Sequence, residues 1–349
     1  PSELISIGIM SIIIDKGSFK GVLKGYNRVF IIQDARFADW DLSDWLPENS
    51  RVLGKMNIEG GEDAKNLLVV EAIWSALLNC NADRSTLVIS VGGGSISDAV
   101  GFAASTFRRG IPIAHIPTTL IGMVDAAIGG KTALNFKGVK NQIGTYHFPI
   151  AVGISDDWLK TLLPRELLSG WMEMFKHCMI SGENDMRVAL DLIDLKQIPQ
   201  LLLKSAEVKR RVVEEDPQEL GLRKSLNLGH TVGHALEALS HRTSNPLPHG
   251  IAVGYGLAFT VIGSVDQHAG LSLTEAHLAL KALKNWLRDD PLPRFEPEEI
   301  WSMMLHDKKN AEGEVLEVWL EDWGKPKWNQ PLKKDDFHRL WLKTANEFS

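Results

Sequence analysis

Between Arg28 and Pro117 the chain repeats one alternation, a short apolar run and then a segment with helical spacing. The runs are RVFIIQD (28–34), TLVISVGGG (86–94) and IPIAHIP (111–117). The helical segments are LLVVEAIWSALLN (67–79) and DAVGFAASTF (98–107). Runs that are apolar at successive positions are buried on both faces, which happens in parallel sheets covered by helices. Strands alternating with helices build βαβ units. After Asp157 the pattern changes. Helical segments such as 198–213 and 273–288 follow one another, and a single late run, EVLEVWL (314–320), reads as a strand. The expectation is an α/β chain: a doubly wound parallel-sheet domain over 1–158, then a mostly α-helical domain over 159–349. The 349 residues suit two domains of roughly 150 residues each.

Charge and cysteine content narrow the function. The net charge is −6, from 38 basic and 44 acidic residues, with no long block of one sign. A nucleic-acid binder would carry a basic face, so no nucleic-acid partner is expected. Cys80 and Cys178 each stand alone in an apolar context, as in a reducing compartment rather than a disulfide framework. The opening PSELISIGIMSIIID lacks the basic start and small-residue cleavage site of a signal peptide. No apolar run reaches 18 residues. The expected location is the cytoplasm, with no membrane partner.

Four segments carry chemistry. In VISVGGGSISDAVGF a strand enters Gly92, Gly93 and Gly94 and a helix follows. Glycines let the backbone approach a pyrophosphate, and a helix N-terminus offers free N–H groups. Ser97 fills the third position of G-x-G-x-x-G, so alone the segment fits a tight turn as well as a dinucleotide cradle. In IPTTLIGMVDAAIGGKTALNFKGVKNQIGTYHFP, Thr118 and Thr119 follow a strand at the edge where open α/β sheets bind ligands. Asp125, Lys131, Lys140 and Asn141 come next around glycine turns and suit a polyhydroxylated anion, or else a solvated loop.

In SGWMEMFKHCMI, Glu173 sits among Trp171, Met174, Phe175 and Cys178, with Lys176 and His177 one turn on. A buried Glu is costly unless paired or metal-bound; both readings stay open here. In SLNLGHTVGHAL, His230 and His234 lie four apart, on one helix face. Thr231 stands where a zincin protease needs Glu, which excludes that class. Singly each histidine reads as structural. With His249 and Glu173 they form a His/His/carboxylate supply that suits zinc with an open position.

In this order, GGGSISDAVGF, RRGIPIAHIPTTL, VDAAIGGKTALN, KNQIGTY, PRELLSGWMEMFKH, GLRKSLNLGHTVGHALE, PHG and DKKN resemble the 3-dehydroquinate synthase family, the sugar phosphate cyclases. The resemblance implies a carbon–oxygen lyase of the shikimate pathway to aromatic amino acids. Its substrate is a small anionic sugar-acid phosphate, 3-deoxy-D-arabino-heptulosonate 7-phosphate (DAHP), converted to 3-dehydroquinate and phosphate. One site oxidises an alcohol with NAD, eliminates phosphate, re-reduces the ketone and closes the ring. The cofactors implied are NAD and zinc or cobalt; the assembly is a homodimer.

Position by position, the resemblance makes Glu173, His230 and His249 the metal ligands. Lys131, Asn141, Asn227, His234 and Lys308 hold the substrate phosphate, joined by Arg109 from a neighbouring subunit, and His234 assists proton transfer. Lys209 and Arg223 take the substrate carboxylate, Arg through its bidentate fork. Asp125 and Lys176 bind hydroxyls near the metal. NAD falls to Asp34, Glu62, Lys65, Gly94, Ser95, Asp98, Thr118, Thr119, Lys140 and Thr161.

Three positions depart from the family pattern: Ser97 for Gly, Met172 for Ala and Ile251 for Glu. The last removes a carboxylate beside a metal ligand, where second-shell loss weakens metal binding. The alternatives are a cyclase acting on amino-DAHP or sedoheptulose 7-phosphate, a metal-dependent polyol dehydrogenase, or a non-catalytic ligand binder. Sedoheptulose phosphate lacks the carboxylate that Lys209 and Arg223 would hold, so those residues favour the dehydroquinate reaction.

Overall fold

The computed structural model describes residues 11–13, 15–191, 197–267, 269–306 and 314–349. The first elements are β1 (Ser11–Ile13), α1 (Lys16–Val22), β2 (Arg28–Asp34), β3 (Arg51–Ile58), α2 (Leu67–Asn79), β4 (Leu87–Gly92), α3 (Gly94–Thr106) and β5 (Ile113–Pro117). A hairpin, β6 (Lys131–Phe136) and β7 (Val139–Tyr146), precedes β8 (Ala151–Gly153). Then come α4 (Pro164–Ser181), α5 (Glu183–Leu190), α6 (Pro199–Glu215), α7 (His230–Ser240), α8 (His249–Asp266), α9 (Leu273–Leu287) and α10 (Pro297–Leu305). The chain closes with β9 (Val315–Asp322), β10 (Lys325–Leu332) and α11 (Lys334–Glu347).

Six strands form one sheet in the order β1-β8-β5-β4-β2-β3, and all neighbours run parallel. β4 and β5 are buried at every position, which is why their sequences are nearly continuous apolar runs. Ile32, Val88 and Ile113 of the sheet share one apolar core with Val70, Ile73 and Leu77 of α2 and Ile96, Val100 and Ala103 of α3. The winding reverses between β2 and β4, since β3 lies on one side of β2 and β4, β5 and β8 lie on the other. Open α/β sheets bind ligands at the carboxyl ends of strands beside such a reversal. Asp34 ends β2 and the glycine run ends β4.

The chain divides into two compact units, 1–162 with 202–214, and 163–201 with 215–349. Most of α6 therefore groups with the sheet, which a division into two continuous stretches does not provide for. Three local differences from the sequence reading have physical causes. α3 begins at Gly94, not at 98, because Gly93 caps it and Gly94 already opens its first turn. The 131–146 segment, read as turns, is a hairpin; β7 is exposed at seven of its eight positions, so it lacks the apolar alternation that marks a strand. β10 carries two prolines that masked it, and pairs antiparallel with β9.

The second unit buries Trp171 and Phe175 of α4, Leu236 and Leu239 of α7, and Val253, Leu257 and Phe259 of α8. Glycine sets the spacing of α7 and α8. Gly229 turns into α7 with φ of 74°, and a Cβ on Gly256 would lie 1.8 Å from the Gly229 carbonyl oxygen. That neighbour is backbone and cannot rotate away. Gly256→Ala should therefore cost about 3 kcal/mol and lower the thermal midpoint together with metal content, since α7 and α8 carry His230, His234 and His249. An unchanged midpoint would mean that the two helices separate freely.

Candidate active site

In the first unit, Gly93 caps α3 with no side-chain hydrogen bond, so the N–H groups of Gly94 and Ser95 open the helix unblocked. The turns after β4 and β5 are pressed together: a Cβ on Gly93 would lie 3.1 Å from Thr119, and one on Gly94 2.8 Å from Ala126. Thr118 donates its backbone N–H to Gly92 at 2.9 Å. Its hydroxyl is wholly buried and has no hydrogen-bond partner among the described residues. A buried orphan hydroxyl costs free energy that a ligand's polar atom would recover. The Thr119 hydroxyl accepts from Gly122 N–H at 3.1 Å. These features fit a dinucleotide.

Around that turn, Lys65 donates to Asp98 Oδ2 at 2.6 Å and to the amide oxygen of Asn141. Glu62 accepts from Asn135 at 2.8 Å. Lys209, on the stretch of α6 that belongs to this unit, pairs with Asp125. Asp34 is fully buried; its carboxylate accepts from the Arg36 backbone at 3.0 Å and from Arg36 Nη2 at 2.9 Å. Arg36 was not singled out from the sequence, although it lies two residues beyond Asp34. Lys131 and Lys140 are exposed on the hairpin strands, and Thr161 is exposed with its hydroxyl donating to Trp158 O at 2.7 Å. Arg109 is exposed in a turn where Arg108 and Arg109 both have positive φ, 49° and 66°. Two consecutive non-glycine residues in that region store strain, which persists where the surroundings over-determine it. Arg108 Nε donates to Ala82 O at 2.9 Å, and Arg84 Nε donates to Arg108 O at 3.2 Å.

In the second unit, α4, α7 and α8 bring Glu173, His230, His234 and His249 together. Glu173 is completely buried on α4 and pairs with Lys176, also buried, one turn on. His230 Nε2 lies 3.5 Å and His249 Nε2 3.3 Å from the same oxygen, Glu173 Oε1. His230 Nδ1 is 3.0 Å from Leu228 O, and His249 Nδ1 is 2.8 Å from Glu237 Oε2. An acceptor on Nδ1 fixes the ring tautomer and leaves Nε2 as the donor to a metal. His230, His234 and His249 also place ligand atoms within 4.8 Å of one another. Two imidazole nitrogens and a buried carboxylate are a donor set that fits a divalent ion.

Burial opposes a charge on His249, but its hydrogen bonds to Glu173 and Glu237 outweigh burial and push its pKa up to about 10. Arg223 is buried; its Nη1 donates to Pro217 O at 2.7 Å and its backbone N–H to Asp216 at 3.0 Å. Asn227 donates to Glu219 at 2.9 Å. Lys308, with the rest of the DKKN run, lies outside the described residues.

Two further residues of this unit were not singled out from the sequence. Glu237 follows His230 by seven and His234 by three, so it shares their helix face. Arg165 gathers Asp290 at 2.5 Å, Asn245 at 2.8 Å and Pro246 O at 3.0 Å, and so secures the approach to His249. Arg165 carries no local signal, because its partners are far along the chain.

A sheet unit with a glycine-opened helix at its winding reversal, in one chain with a helical unit carrying a His/His/carboxylate cluster, defines a class: nucleotide-binding α/β proteins with a second, metal-site unit. The chain belongs to the 3-dehydroquinate synthase family: residues 55–169 match the 3-dehydroquinate synthase N-terminal family and residues 170–310 the C-terminal family. A 3-dehydroquinate synthase of Parabacteroides distasonis is 36% identical over 326 residues, 90% of this chain and 92% of that one. One of Pyrococcus abyssi is 38% identical over 281 residues, 78% of this chain and 82% of that one.

Among solved structures, 2-deoxy-scyllo-inosose synthase complexed with carbaglucose-6-phosphate, NAD+ and Co2+ has a TM-score of 0.80 at 23% identity, over 97% of this chain and 96% of that one. The 2-epi-5-epi-valiolone synthase of Streptomyces hygroscopicus subsp. jinggangensis, with NAD+ and Zn2+ bound, has a TM-score of 0.78 at 22% identity, over 99% of both chains. The fold of this chain is theirs.

Burial raises the Asp98 carboxyl from 3.8 to about 6; Lys65 pulls against it, and Glu62 and Asp125 add to it. A raised folded-state value means that the stability from protonated Asp98 is full below about 3.8 and is lost as pH rises through about 6. In urea unfolding across that window, wild type should lose more stability with rising pH than Asp98→Asn does. Parallel slopes for the two proteins would contradict the assignment.

Proposed function

We propose that this chain is a 3-dehydroquinate synthase that converts DAHP to 3-dehydroquinate and phosphate with NAD and a bound zinc or cobalt ion. The observation that carries the reading is the approach of His230 Nε2 and His249 Nε2 to one oxygen of buried Glu173. Glu173, His230 and His249 would hold the ion, and Gly94, Ser95, Asp98, Thr118 and Thr119, with Asp34, Glu62, Lys65, Lys140 and Thr161, would hold NAD. When bound, NAD accepts and returns a hydride and the ion acidifies substrate hydroxyls and polarises the ketone.

The chain's own residues bind and orient. Arg223 and Lys209 take the substrate carboxylate, Arg223 with a fork already braced by Pro217. Asp125 and Lys176 take hydroxyls. Lys131, Asn141, Asn227, His234 and Lys308 hold the phosphate group in place, which lowers the entropic part of the barrier to elimination. His234 assists the movement of the proton next to the new carbonyl. NAD is assigned to the 1–158 domain and the metal and substrate acid to the 159–349 domain, with Lys209 acting from the stretch of α6 that groups with the sheet. Cys80 and Cys178, each alone in an apolar stretch of the sequence, suit a cytoplasmic enzyme.

The test is phosphate release from DAHP with catalytic NAD and added zinc or cobalt, with NADH followed in parallel. Release without NADH build-up, abolished by a chelator, is the expected result. Accumulating NADH would assign a polyol dehydrogenase, and turnover of sedoheptulose 7-phosphate in place of DAHP another cyclase. His230→Ala should lose metal and activity together. Arg223→Ala should keep its metal and raise KM on the order of 10–100-fold, as expected for a charge-assisted contact of about 1.5–3 kcal/mol.

The strained, exposed turn at Arg108–Arg109 supports a homodimer in which Arg109 reaches the partner's phosphate site. Mixing inactive Arg109→Ala with inactive His230→Ala should restore activity, because a hybrid dimer contains one site with both residues intact. No recovery on mixing, with subunit exchange verified, would place Arg109 in its own subunit's site.

A further inference from the structure

The position two residues beyond His249 is Ile251, completely buried and apolar, so no carboxylate reaches the metal cluster from there. Yet His249 does not lack one. Among the described residues its polar partners are two carboxylates, Glu173 on Nε2 at 3.3 Å and Glu237 on Nδ1 at 2.8 Å. Glu237 comes from the second turn of α7, the helix that begins with His230. His249 is the first residue of α8, and its ring meets α7 through this contact and through ring contacts with His230 and His234, at centroid distances of 5.4 and 5.7 Å. The Glu237 side chain is 16% exposed and that of His249 31%, so the hydrogen bond is partly shielded from water.

We propose that Glu237 is the positioning carboxylate of the metal site: it holds the proton of His249 on Nδ1, and so aims Nε2, with its lone pair, at the ion. The proposal rests on the reading of Glu173, His230 and His249 as ligands. It assigns to α7 two tasks, one ligand at its first residue and the orientation of another seven residues later. A hydrogen-bonded carboxylate fixes ring tautomer and rotation and raises imidazole basicity, and its loss costs on the order of 10–100-fold in metal affinity. Leu228 O does the matching work for His230, but as a neutral backbone acceptor. His249 is thus the ligand whose geometry a side-chain substitution can loosen without removing a donor.

The experiment measures zinc affinity by competition with a chromophoric chelator, and the visible spectrum of the cobalt-loaded protein. The proteins are wild type, Glu237→Gln, Glu237→Ala and His230→Ala. Glu237→Ala should weaken zinc by 10–100-fold and change the cobalt bands while the thermal midpoint of the metal-free protein stays near wild type. Glu237→Gln keeps an acceptor oxygen for Nδ1–H and should fall between the two, which a merely space-filling role would not produce. Wild-type affinity and an unchanged cobalt spectrum in both Glu237 variants would overturn the proposal. Failure of the ligand reading itself looks different: His230→Ala would then bind zinc as tightly as wild type. If Glu237→Ala does not fold, Glu237→Gln, nearly isosteric, decides.

Discussion

The arrangement on which the site depends is a fully buried carboxylate, Glu173, flanked by a buried ammonium and two imidazoles. A lone carboxylate in that place would be intolerable. Lys176 offsets its charge one helical turn on, and the histidines close in from two other helices. Everything around it works to keep those helices close. Gly256 lets α8 pass the Gly229 carbonyl, and Gly250 lies against Ser169, whose hydroxyl accepts the Gly250 N–H at 3.0 Å. The glycines are therefore part of the site although they carry no chemistry: without them the histidine rings could not reach one oxygen.

The departures from the family pattern make sense in this packing. Met172 is completely buried, and a Cβ on Gly254 would lie 2.7 Å from its sulfur, so a flexible thioether fills the space that glycine leaves. Ser97 is buried in the first turn of α3, but its hydroxyl donates back to Gly93 O and Gly94 O at 3.2 and 3.1 Å, so the polar atom faces neither the core nor the open helix end. Ile251 adds to the apolar side of α8, while Glu237 approaches His249 from α7.

The sheet was legible in the sequence because burial on both faces writes itself as unbroken apolar runs; β2, β4 and β5 are where those runs stand. The hairpin β6–β7 and the strand β10 were not, since one is exposed and the other interrupted by proline. The helix spacing of His230 and His234 was legible as well. What spacing cannot carry is environment. His115 is buried beside Ser90, 2.6 Å from its hydroxyl, and burial holds its pKa down to about 3, so it is a neutral core residue. His249, only half-buried, is pushed up to about 10 because two carboxylates found only in the fold lie against it. Nothing local to either histidine separates them: Glu237 stands 12 residues from His249 and Glu173 on another helix, and Ser90 stands 25 residues from His115.

Three of the lysines assigned to ligands are already paired within their unit: Lys65 with Asp98, Lys209 with Asp125, Lys176 with Glu173. This is what burial demands, for a cation kept ready and bare for a phosphate or carboxylate would destabilise the empty protein by several kcal/mol. Binding is then an exchange of partners rather than a filling of vacancies. Under the proposed assignment, a substrate carboxylate taking Lys209 would release Asp125 to accept hydroxyls, and a metal held by Glu173 would leave Lys176 to find another oxygen. Each ligand would so uncover a group of opposite kind beside it. The residues read from the sequence as separate contacts thus act as pairs, and a substitution in one member is felt first by its partner.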